Sequence, residues 1–190
     1  MTDKNASIMN IGSMGYLPQV FKKIENEKKL NIVYLGGSIT MGCNATKTEL
    51  RYVDRSAKWW QTNFPDAEIS YFNAGIGATT SQFGVARVQE HVLDKQPALV
   101  FVEFSVNDSS SPLFMETYES LVRRLLKAES VKAVVLINNL FYNTGTNAQG
   151  IHNAIGLHYD LPIVSVRNYI FPEIQLGNVC LADYTACLLY

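Results

Sequence analysis

Five short apolar runs punctuate the chain, at 31–35, 69–72, 98–104, 132–137 and 162–166, each rich in β-branched or aromatic residues and bounded by turn formers. The runs are continuous rather than alternating, which is the pattern of strands covered on both faces, so they predict a five-stranded parallel sheet. Between them apolar residues recur at helical spacing: Leu50, Val53, Ala57 and Trp60, then Val85, Val88 and Val92, then Tyr118, Leu121, Val122 and Leu125. Residues 148–158 give a weaker signal of the same kind, and 15–29 predict a helix leading into the first strand. Alternating strand and helix predict an α/β three-layer sandwich with right-handed crossovers. No repeat or linker interrupts the pattern, so 1–190 reads as one domain.

Composition narrows the class. At 190 residues, 47% hydrophobic and 17% charged, the chain is neither disordered nor collagen-like. Its 16 basic and 17 acidic residues give no overall attraction to nucleic acid or an anionic membrane. The polar start and the lack of an apolar run near the roughly 20 residues that span a bilayer predict a cytoplasmic protein with no membrane partner. Cys43, Cys180 and Cys187 lack the paired spacing of a zinc or redox site and read as reduced thiols.

In an open parallel sheet ligands sit at the carboxyl ends of the strands, and three loops there carry chemistry. The first strand runs into Gly36-Gly37-Ser38-Ile39-Thr40, a sharp turn that exposes the Ser38 hydroxyl next to helix N-terminal amides. A plain glycine turn is the alternative. A phosphate loop is disfavoured because Cys43 and Asn44 stand where Lys and Ser/Thr are needed. The second strand ends in Asn73-Ala74-Gly75-Ile76-Gly77, where the Gly75 amide is a candidate oxyanion donor. The third ends in Asn107-Asp108, an amide donor beside a carboxylate, although the same pair is common turn chemistry in which Asp108 caps the next helix.

Ser38, Gly75 and Asn107 thus fall at the ends of three successive strands and converge as nucleophile and oxyanion donors. In these blocks, Gly36-Gly37-Ser38-Ile39-Thr40, Asn73-Ala74-Gly75 and Val106-Asn107-Asp108, the chain resembles the SGNH, or GDSL-type, esterase and lipase family in its variant with Gly before the serine. The resemblance covers the motifs over roughly 30–110 and the alternation of elements to about 170. It implies a flavodoxin-like sheet and hydrolysis of short acyl esters, with Ser38 as nucleophile, the amides of Ser38 and Gly75 and the Asn107 side chain as oxyanion hole, and no cofactor. Members with this serine block often deacetylate carbohydrates, so a sugar ester is the expected substrate.

The family's Asp-x-x-His block is not matched. Asp183 is the last carboxylate and Ala186 stands where the histidine belongs, while His91, His152 and His158 read as structural or solvent-facing. Three explanations stay open: truncation before that block, a degenerate member, or a base from another chain. The first goes with an expected lack of the closing helix, leaving an apolar sheet face that favours a homo-oligomer. Each predicts impaired activity, since losing a triad member leaves only about 10³–10⁴-fold catalysis over water. A non-catalytic ligand-binding domain and a flavodoxin-like nucleotide or phosphate binder are the alternatives. Among other residues, Trp59 or Trp60 is a candidate sugar platform, Glu103 and Arg87 are candidates for ion pairing, and Lys22, Lys23, Lys28 and Lys29 read as a solvated helix face.

Overall fold

The computed structural model describes residues 4–12, 16–43 and 45–180. Among them, six strands form one sheet: β1 (Ile8–Asn10), β2 (Lys29–Gly36), β3 (Glu68–Gly75), β4 (Leu99–Glu103), β5 (Ala133–Asn138) and β6 (Ile163–Ser165). They lie in the order β1-β6-β5-β4-β2-β3, every pair parallel except β1 with β6. The five parallel strands are the five apolar runs, and the architecture is the expected three-layer α/β sandwich. The sixth, antiparallel strand was not anticipated: three residues with a polar end, held where Asn10 Nδ2 donates to Leu161 O at 2.9 Å, carry no periodic signal.

The helices are α1 (Tyr16–Glu27), α2 (Ser38–Met41), α3 (Tyr52–Asn63), α4 (Ser81–His91), α5 (Pro112–Leu126), α6 (Gln149–His158) and α7 (Val166–Gln175). The periodic residues do what their spacing requires. Val53, Ala57 and Trp60 bury the inner face of α3, and Tyr118, Leu121, Val122 and Leu125 that of α5; Leu50 lies in a 3₁₀ turn ahead of α3 and is exposed. One core packs Val33, Leu35, Val100, Val102, Val134 and Leu136 against α4, α5 and α6, and the other packs Ile32, Tyr34, Leu99 and Val135 against α1 and α3.

Two expectations change here. A helix does follow the last parallel strand: α7 starts at Val166, its first turn capped by Ser165, whose Oγ accepts the Asn168 N–H at 3.1 Å. Both sheet faces carry helices, so the bare apolar face expected to drive self-association is not found among the described residues. No described helix is long and apolar enough to cross a membrane.

Candidate active site

The strand order locates the site. From β2 the chain moves outward to β3 and then returns to β4 on the other side of β2, so the direction of winding reverses between β2 and β4. Loops leaving adjacent strands at such a reversal part from each other and open a crevice at the carboxyl edge. Ser38 follows β2, Asn107 follows β4, and the glycine loop follows β3, so all three predicted loops border it.

Ser38 opens the one-turn helix α2, which stops at Gly42 in a left-handed conformation (φ 87°). Its Oγ makes no hydrogen bond among the described residues and the residue is half-buried, leaving the hydroxyl available. The preceding glycine is required by Asn107: a Cβ at Gly37 would lie 2.6 Å from Asn107 Oδ1. With Oδ1 buried and unpartnered there, the Nδ2 end of the amide is the donor left for a ligand. Gly37 N–H donates to Glu103 O at 3.3 Å, tying the serine turn to the end of β4.

Gly75, expected as an oxyanion donor, has a partner for its amide within the chain. Its N–H donates to Asn73 Oδ1 at 2.9 Å, so this amide is already engaged. A Cβ at Gly75 would fall 2.1 Å from Met41 N; the glycine is there to let the backbone of α2 lie against β3. Asn73 strengthens that contact, its Nδ2 donating to Thr40 O at 2.8 Å. The glycine that borders the nucleophile is Gly77, where an added Cβ would sit 4.0 Å from Ser38 Cβ, and whose N–H has no acceptor among the described residues. The signal for it lay in the same segment, as the second glycine of Gly75-Ile76-Gly77.

A family model described as "GDSL-like Lipase/Acylhydrolase family" matches residues 34–167, more than half of the chain and all three loops. The chain belongs to this family. Among solved structures, this GDSL-like chain is similar to a two-domain esterase, CEX, active on acetylated mannans: 45% identity, TM-score 0.93, covering 96% of this chain and 49% of that one. The same esterase co-crystallised with mannopentaose gives 46% identity, a TM-score of 0.91, and 94% and 49% coverage. The chain therefore spans about half the length of these relatives. An acetylxylan esterase from Geobacillus stearothermophilus, Axe2, shares the fold at 19% identity and a TM-score of 0.66, covering 81% of this chain and 83% of that one. No curated protein matches the chain.

Behind the crevice of this GDSL-family domain lie buried ionisable groups. Asp108 does not cap the helix that follows it: its Oδ1 accepts the N–H of Ser81, the first residue of α4, at 2.9 Å, and its Oδ2 pairs with His152 Nε2 at 3.0 Å. Both side chains are fully buried, and His152 stacks on Tyr118 with ring centroids 3.6 Å apart. Burial holds the imidazole below its ordinary pKa, with Asp108 opposing, and Nδ1 has no partner among the described residues. Glu103 pairs with no cation among the described residues. It is buried, accepts Ser105 Oγ at 3.2 Å on Oε1, and burial pushes its carboxyl up to about 7.

Of the three histidines, read from the sequence as structural or solvent-facing, His152 is buried and His158 is exposed. His152 is locked to Asp108, while His91 and His158 end α4 and α6 at the amino edge of the sheet, away from Ser38. Asp183, Ala186 and Cys187 lie outside the described residues. Trp60 is core and Trp59 is 52% exposed on α3, which runs away from the site. Lys23 pairs with Glu27 and Lys29 with Glu68 at the surface. Among the described residues no group of three or more His, Cys, Asp or Glu could hold a metal.

Proposed function

We propose that the chain is a serine esterase domain that removes acetyl groups from carbohydrate esters. The observation that carries the reading is the meeting of an unbonded Ser38 hydroxyl, the Gly77 loop and Asn107 at the winding reversal. Similarity to the esterase active on acetylated mannans supports the acetyl and carbohydrate parts. Ser38 Oγ attacks the acetyl carbonyl carbon and loses its proton. The carbonyl oxygen, now an anion, is held by the Ser38 and Gly77 amides and Asn107 Nδ2; the sugar–oxygen bond to the acetyl carbon then breaks, the sugar oxygen takes a proton, and water cleaves acetyl-Ser38 to acetate.

This reaction needs a proton acceptor at Ser38, and none of the chain's three histidines lies there. Turnover by the chain itself is therefore slow and responds to an external base. The test is acetate release from acetylated manno-oligosaccharides with and without added imidazole. A Ser38-dependent rate that rises with imidazole and vanishes in Ser38→Ala is the expected result. Equal rates in the two proteins under both conditions would overturn the reading.

A further inference from the structure

The buried guanidinium of Arg87 is the least expected group near the site. Arg87 lies on α4 and is 6% exposed, yet no carboxylate pairs with it among the described residues. Its partners are carbonyls at the ends of two strands. Nη2 donates to Gly36 O at 3.0 Å, and Nη1 donates to Ala74 O at 2.6 Å and lies 3.2 Å from His91 Nδ1. The guanidinium carbon lies 5.7 Å from the centre of the Phe83 ring, and Nε is buried without a partner among the described residues.

A buried charge without a counter-charge opposes folding unless strong hydrogen bonds compensate, so its place has to be accounted for. The two carbonyls supply the reason. Gly36 and Gly75 are the last paired residues of β2 and β3, and beyond them the chains part, one to Ser38 and the other to Gly77. Among the described residues the only further backbone tie between those strand ends is Ile76 N–H to Gly36 O, at 3.1 Å. A planar fork that reaches one carbonyl on each strand fixes their separation where the sheet's own ladder stops, and charge-assisted donation makes the fork stiff. Burial lowers the pKa to about 10, which leaves the group charged at neutral pH.

We propose that Arg87 is a positioning residue: it clamps the ends of β2 and β3 and thereby sets the distance between the Ser38 turn and the Gly77 loop. The proposal builds on the esterase reading, but its structural half can be measured without turnover. Amide hydrogen exchange is followed in the wild type, Arg87→Lys and Arg87→Met, with Arg87→Gln taking the place of Arg87→Met should that variant not fold. The expected result is a loss of protection at Ile76 and Gly37 of about tenfold or more relative to the core amides of Val100 and Val134, with Arg87→Lys between the extremes. In the imidazole-supported acetate assay, kcat falls about tenfold or more while KM stays within about twofold. Protection at Ile76 and Gly37 that is unchanged, or that falls only in step with the core amides, overturns the clamp; so does a KM rise at constant kcat. If the wild type releases no acetate, the esterase reading fails and exchange alone decides the clamp.

Discussion

At the residue scale, the two glycines of the β3 loop separate packing from chemistry. A Cβ at Gly75 meets the backbone of Met41 at 2.1 Å, and backbone cannot step aside as a side-chain tip can. Gly75→Ala should therefore lower stability by about 2 kcal/mol or more, as overpacking does. At Gly77 the nearest atom to an added Cβ is Met41 Cε at 3.4 Å, the end of a flexible side chain in ordinary contact, so Gly77→Ala should cost under about 1 kcal/mol. Urea unfolding of the two variants checks this, and equal losses would contradict it. The same pair shows how far the sequence was legible. Ser38 and Asn107 stood out because few residue types do their chemistry and both followed apolar runs. What favours Gly77 over Gly75 in the proposed site is that Asn73 folds back onto the Gly75 amide, a side-chain contact that no spacing encodes.

At the element scale, strands and helices were readable wherever burial imposes a period, and unreadable where tertiary contacts alone hold them. All five parallel strands coincide with the apolar runs, although the edge strand β3 leaves Tyr71 and Phe72 exposed. β1 exists only as a cover for the β6 edge, and α7 carries Pro172 in its interior, a residue that argues against a helix. The contacts that brace the carboxyl-edge loops likewise cross the fold: Asp108 joins the β4 loop to α4 and α6, and Glu103 is buried at the end of β4. These two groups act on stability in opposite pH ranges. Glu103 binds its proton more tightly folded than unfolded, so what it contributes is present below the ordinary carboxylate pKa and is lost as pH rises through about 7. His152 is shifted down, so its contribution is present above the ordinary histidine value and is lost as pH falls below it. Glu103→Gln cannot ionise. Its Tm relative to wild type should rise between about pH 5 and about pH 8, and a Tm difference constant across that range would contradict the assignment.

At the scale of the whole molecule, the fold brings the site together by strand order rather than by nearness in sequence. Ser38 and Asn107 are 69 positions apart and meet because β4 returns to the flank of β2. The even charge balance agrees with the proposed action on uncharged esters, and in that proposal the hydroxyl, the amides and the Asn107 side chain form a set suited to a tetrahedral anion. A boronic acid tests that set directly, because boron accepts the serine oxygen without a leaving group or a second catalytic step. We therefore look to ¹¹B NMR of methylboronic acid bound to the wild type, Ser38→Ala and Asn107→Ala. A tetrahedral boron signal in the wild type, absent in Ser38→Ala and weakened about tenfold or more in Asn107→Ala, is the predicted result. Boron that stays trigonal, or binds equally well without Ser38, would contradict a site built around that serine.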